Sequence, residues 1–194
     1  MANLIYEETF EGASWFPTSN EALINFTHGI ENCNNNSTTS PATFDWTLSR
    51  VTDIKFQGTK SARFEIRKDQ PRVGSSQKVR SEVTVIKEVS EGMEQEMWFS
   101  FAILFPSNGF EYDTKREAIN QFYEDGSTET SIRCEKDTCS FETFSPPTGT
   151  SLVNYDLFRT SHGTNAYQSI SSMQLIQKDV WHEFVFHFIF STGA

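Results

Sequence analysis

Lys78, Arg80 and Glu82 recur at every second position of the run Lys78-Val79-Arg80-Ser81-Glu82-Val83-Thr84-Val85-Ile86. Val, Thr and Ile dominate the run and no Gly or Pro interrupts it, so it reads as a β-strand. A strand sends successive side chains to opposite faces. Lys78, Arg80, Glu82 and Thr84 therefore share one face, and Val79, Ser81, Val83 and Val85 share the other. Arg80 and Glu82 stand one pleat repeat apart, about 7 Å. At that spacing Glu82 can hold the guanidinium while Arg80 keeps donors for a bidentate grip on a ligand carboxylate. A solvated outer face with a weak surface ion pair is the other reading of the same residues. Arg67, Lys68 and Arg72 crowd the same third of the chain, which allows a local basic cleft.

The whole chain sets the frame for that face. It has 194 residues, enough to bury a core without staples, and eighteen of them are Phe. The formal net charge of −10 argues against a nucleic-acid partner, whose binding needs broad phosphate neutralisation. An anionic sugar polymer would need a basic cleft to override the overall field. No apolar run reaches the length of a membrane helix, and residues 1–10 show no secretory leader.

Short alternating segments punctuated by turn residues run through the sequence, with almost no helical period. Strands are expected over residues 4–10, 44–51, 61–67, 78–86, 97–105, 119–124, 128–135, 138–144, 175–177 and 181–191. Residues 16–41 and 150–172 read as irregular, and the acidic run Glu88, Glu91, Glu94 and Glu96 as solvated. In residues 61–67, Ala62, Phe64 and Ile66 face away from Arg63, Glu65 and Arg67. Ile119, Gln121 and Tyr123 are expected on one face. In the last strand Phe184, Phe186, Phe188 and Phe190 alternate with Glu183, Val185, His187 and Ile189, which places His182 and His187 on opposite faces. Trp98 and Trp181 are expected in the core. The pattern indicates a single all-β domain, a β-sandwich. The final strand is so apolar that it should be paired on both sides, yet no sequence follows to make the next hairpin. A domain incomplete at its C-terminus is therefore expected.

If Lys136-Asp137 is a two-residue turn, Glu135 pairs with Thr138 and Cys134 faces Cys139. That separation is within disulfide range, and two neighbouring thiols are the alternative. No ligand set has zinc spacing. No cofactor is expected, with a structural calcium at the acidic run Glu88, Glu91, Glu94 and Glu96 as the alternative.

Five stretches together resemble the heparin lyase I-like polysaccharide lyases, in family order from about residue 58 to residue 191. They are Gly58-Thr59-Lys60-Ser61-Ala62-Arg63-Phe64-Glu65, the Arg-x-Glu strand at Arg80-Ser81-Glu82-Val83, and the aromatic strand Trp98-Phe99-Ser100-Phe101-Ala102-Ile103-Leu104-Phe105-Pro106. Asn120-Gln121-Phe122-Tyr123 is similar to the family's Gln-x-His strand, with Tyr123 in place of His. Trp181-His182-Glu183-Phe184-Val185-Phe186-His187 resembles its Trp-His-Asp-x-Val-x-His strand. The family's closing Lys-x-Gly-x-Tyr strand has no counterpart in the chain.

The resemblance implies a jelly-roll, concanavalin-like sandwich, secreted or periplasmic and monomeric. Its concave sheet would bind an acidic polysaccharide and cleave it by β-elimination. The C5 proton of a uronate is a poor acid, and its removal loads further charge onto the sugar carboxylate. Arg80 and Gln121 would neutralise that carboxylate. Tyr123 or His162 would move protons, the Tyr if neighbouring cations lower its pKa. Lys78, Glu82, Arg67 and His187 would line the substrate groove. A non-catalytic glycan-binding module on the same fold is the alternative reading.

Overall fold

The computed structural model describes residues 7–12, 26–31, 46, 48–67, 79, 81–87, 96–110, 117–124, 127–135, 138–143, 150–161, 168–169, 174–175 and 177–192. All regular structure among them is β, so the chain is an all-β protein. It divides into two compact units, Met1–Val89 and Ser90–Ala194.

Among the described residues, the first unit holds two antiparallel pairs. Strand β1 (Phe26–Glu31) pairs with β4 (Glu82–Lys87), and β2 (Leu48–Val51) pairs with β3 (Ser61–Phe64). Strand β1 lies in a stretch expected to be irregular, and β4 begins only at Glu82. Of the expected opening strand, residues 7–9 have no strand geometry. Leu48 is buried against Phe10 and Ala62. Phe64 and Ile66, on the same side of the strand as Ala62 by the expected alternation, are 46% and 55% exposed.

Glu11 ties the segment at residues 7–12 to the connection between β2 and β3. Its Oε1 accepts from the backbone N–H groups of Thr59 (2.6 Å) and Lys60 (2.9 Å), and its Oε2 from the Thr59 hydroxyl (2.5 Å). Gly58 makes this approach possible. It adopts φ +66°, a left-handed conformation open to glycine, and a Cβ there would stand 2.5 Å from Glu11 Oε1.

The second unit contains two four-stranded sheets. One has the order β10 (Gln168–Ser169), β9 (Thr150–Ser161), β12 (Trp181–Thr192), β5 (Glu96–Leu104). The other runs β11 (Gln174–Leu175), β8 (Thr138–Thr143), β7 (Ser127–Glu135), β6 (Glu117–Glu124). All the pairings are antiparallel. The expected hairpin register holds: Glu135 pairs with Thr138, and Cys134, which is buried, pairs with Cys139.

Strand β12 has partners on both sides, β5 and β9. The second of these was expected downstream. It comes from residues 150–161, whose polar composition hid a twelve-residue strand. The two sheets share one core. Phe184, Phe186 and Phe188 of β12 are at most 1% exposed. Phe122 of β6 meets Phe99 of β5 edge-on at 5.0 Å, and meets Phe186 at 5.0 Å and Phe188 at 4.8 Å. Edge-to-face contacts of this kind suit the charge distribution of aromatic rings, positive at the rim and negative over the face.

The end of β5 is fastened to the start of β12. Asp179 N donates to Phe105 O at 2.8 Å, Asp179 Oδ1 accepts from Ser107 N at 2.7 Å, and Lys178 Nζ donates to Phe110 O at 2.6 Å. Asp179 has φ +59°, a conformation that Asp tolerates better than most residues.

Candidate functional site

Strand β6 builds the site. Ile119 and Phe122 both pack into the shared core, although their sequence separation is odd. A regular pleat would send them to opposite faces. The ladder resolves the conflict: Ala118 pairs with Arg133 and Asn120 with Ile132, so Ile119 is an extra residue in a bulge. Bulges re-aim side chains in this way. The expectation that Ile119 and Gln121 share a face is therefore corrected. Ile119 turns inward, while Gln121, next to inward-facing Phe122, is exposed on the outer face.

Strand β7 adds the neighbours. Gln121 pairs directly with Ser131, and Ser131 with Glu142 of β8. Ile132 and Cys134 belong to the core, so Ser131 and Arg133 take the outer face. Arg133 Nε donates to Ser131 Oγ at 2.9 Å, and Ser131 is fully buried beneath that contact. An amide and a guanidinium thus stand on one sheet face, on either side of the buried Ser131 hydroxyl that Arg133 binds. Such a set suits a carboxylate: the amide supplies a neutral donor and the guanidinium supplies charge and a forked pair of N–H groups. Nothing in the alternation of residues 128–135 marked Arg133. The β6–β7 ladder, which sets Ser131 across from Gln121, is what brings it to that face.

Tyr123 follows Gln121 by one pleat repeat in β6 and pairs with Thr128; the extra residue at that register shift is Glu129 of β7. Arg80, Lys78 and His162 lie outside the described residues. Glu82 opens β4, paired with Glu31. Arg67, in the first unit, is held by Glu65 at 2.6 Å and lies over the Trp46 ring at 4.2 Å. Glu65 also binds Arg63 at 2.8 Å, which keeps the expected alternation of those three residues.

His187 stands apart from Gln121. Its neighbours Phe186 and Phe188 are buried, so it projects from the outer face of the other sheet. There its ring stacks on Trp98, with centroids 4.1 Å apart, and its Nε2 donates to Glu96 Oε1 at 2.8 Å. Trp98, expected in the core, is 56% exposed. His182 takes the opposite side of β12, as the alternation required. It is 1% exposed, and its Nε2 donates to Gln177 O at 2.9 Å. Among the described residues, no three His, Cys, Asp or Glu side chains converge as metal ligands would.

The model of the polysaccharide lyase family matches residues 26–194. The chain belongs to that family. The match takes in both units, including the strands that carry Gln121 and Arg133. No curated protein and no solved structure gives a significant match.

Proposed function

We propose that this polysaccharide lyase family member cleaves a uronic-acid-containing polysaccharide by β-elimination, in the manner of the heparin lyase I-like enzymes that its motifs resemble. The observation that carries the reading is the outward presentation of Gln121 by the β6 bulge, beside a guanidinium, in a chain of this family. The difficulty in the reaction is charge. Taking the C5 proton moves electron density onto a carboxylate that is already anionic, so donors aimed at that group lower the barrier. The Gln121 amide donates to the carboxylate; the motif resemblance assigns Arg80 the role of carboxylate clamp. Tyr123 takes the C5 proton and the bond between C4 and O4 breaks. The departing O4 oxygen receives a proton from Tyr123 or His162. Lys78, Glu82 and Arg67 make further contacts with the acidic polymer.

The reading also carries a jelly-roll topology, a secreted or periplasmic setting and a monomer acting on an extended chain. Its test is optical. Each elimination leaves an unsaturated sugar end that absorbs in the ultraviolet. Absorbance should rise on one or more members of a panel of alginate, glucuronan and glycosaminoglycans. Binding with no rise on any of them would make the chain a glycan-binding module instead.

A further inference from the structure

We propose that Trp98 is the platform of a second glycan-binding site, on the outer face of the sheet that holds β5 and β12, and that this site takes neutral hexose units of a polysaccharide. The inference draws on the family to which the chain belongs and does not need the elimination chemistry at Gln121. Phe99 and Phe101 of β5 pack into the core, so Glu96, Trp98 and Ser100 take consecutive outward positions, and all three are exposed. Neighbours in that row stand about 7 Å apart. The strand therefore presents a carboxylate, an indole and a hydroxyl in line.

The two faces of the indole differ. His187, its cross-strand partner on β12, stacks on one of them with centroids 4.1 Å apart. Among the described residues β5 is the last strand of its sheet, with β12 on one side. The second indole face is therefore turned away from β12, past the sheet edge, and Trp98 remains 56% exposed. The other large apolar side chains exposed among the described residues, Ile54, Phe64 and Ile66, belong to the first unit.

The chemistry of the row fits a sugar. The negative face of an aromatic ring attracts weakly positive C–H groups, and one flat side of a pyranose is lined with them. The hydroxyls around the pyranose need partners. Glu96, whose side chain is 62% exposed, holds His187 through Oε1 and has a second carboxylate oxygen as an acceptor. Ser100 offers a hydroxyl that can donate and accept. A carboxylate at the platform opposes a uronate, which selects neutral units. The grip of Glu96 on His187 orders the stack before a ligand arrives, so less freedom is lost on binding.

The test uses the full chain with cellohexaose, laminarihexaose and mannohexaose, and with hexaglucuronate as the charged comparison. Affinities are measured calorimetrically. The indole N–H signal of Trp98, assigned from Trp98→Phe, is followed by nuclear magnetic resonance. At least one neutral hexaose should bind and shift that signal. Trp98→Ala should weaken its binding about threefold to tenfold, the range for an aromatic contact. Trp98→Phe keeps a ring and should recover part of the loss, which separates a lost platform from a misfolded chain. Binding of hexaglucuronate should change less than about twofold in Trp98→Ala, because the Gln121 face is untouched.

No binding of any neutral hexaose by the unaltered chain would overturn the proposal, whatever the uronate assay shows for Gln121. Equal losses on neutral and charged hexaoses would overturn it, as would a Trp98→Ala variant that loses stability and keeps its affinity. Self-association that depends on Trp98 would assign the platform to a second copy of the chain and overturn it too. Trp98-dependent binding of a neutral hexaose, in a chain that turns over no uronate, would support it and remove the lyase reading.

Discussion

The imidazole of His187 lies parallel to the indole of Trp98, their centroids 4.1 Å apart and their planes 9° from coplanar. The two residues are direct cross-strand partners in β12 and β5, and Glu96 holds the far nitrogen of the imidazole. The pair sits on the outer face of the sheet opposite to that of Gln121. Trp98→Ala should therefore reduce stability by about 0.5–1.5 kcal/mol, the value of an aromatic pair beyond its area. Urea unfolding measures this. Polysaccharide turnover per folded molecule should stay within about twofold, because the substitution removes no contact from the Gln121 face.

Phe186 is fully buried and touches rings from both sheets, including Phe101 at 5.9 Å and Phe122 at 5.0 Å. Phe186→Ala opens a cavity between the sheets and should cost about 3–5 kcal/mol. Phe186→Leu keeps most of the volume and should cost clearly less. Equilibrium denaturation of both variants checks the order.

Gly58 and Glu11 test the anchoring of residues 7–12. Gly58→Ala forces an L side chain into the left-handed region and should cost about 1–2 kcal/mol. Its Cβ also meets Glu11 Oε1, which is held in place by Thr59 and Lys60. Proteolysis near the N-terminus should accelerate in the variant, and a change at Gln57 should not reproduce the effect.

The pH dependence follows from two carboxylates. Glu11 is held below the ordinary glutamate range, first by the Thr59 hydroxyl and then by backbone N–H groups of Thr59 and Lys60. Asp179 is lowered by its hydrogen bonds from Ser107, with a smaller contribution from the charge of Lys178. A carboxyl whose folded pKa is depressed binds protons more readily when unfolded, so its contribution is present above the unfolded pKa. That contribution is lost as pH falls through the depressed folded value. Thermal midpoints should therefore drop on acidification below the ordinary carboxylate range, 4.5 for Glu11 and 3.8 for Asp179. Glu11→Gln and Asp179→Asn should each flatten the drop; an unchanged slope in both would contradict this assignment.

Local pattern carried a good part of this fold. The alternation Phe184, Phe186, Phe188 placed the core face of β12 and separated His182 from His187, because a strand's period of two leaves little choice. The two-residue spacing between Glu135 and Thr138 foretold the register of β7 and β8 down to the pairing of Cys134 with Cys139. What stayed hidden depends on distant partners. Residues 150–161 carry only the short stripe Val153, Tyr155 and Leu157, interrupted by Asn154 and Asp156 and flanked by polar residues, and they become β9 because β12 offers an edge for main-chain pairing. Strand β1 is likewise recruited by β4 out of a segment beside an Asn-rich stretch.

The site shows the same division. Gln121 was singled out by its motif. The bulge at Ile119 that frees it from the core residues is set by the ladder with β7, which no single-strand pattern encodes. Trp98 looked like core because indole is large and apolar, but its pleat position pairs it with His187 on an outer face.

The central claim is that Gln121 neutralises a uronate carboxylate during elimination. The direct measurement is the initial rate of ultraviolet-absorbing product, per folded molecule, for the unaltered chain and Gln121→Ala on the uronate polymer it cleaves best. Losing one preorganised donor to the developing charge should lower kcat about 10²–10³-fold, with thermal stability nearly unchanged because Gln121 is exposed. A Gln121→Ala variant that turns over at the original rate would contradict the account.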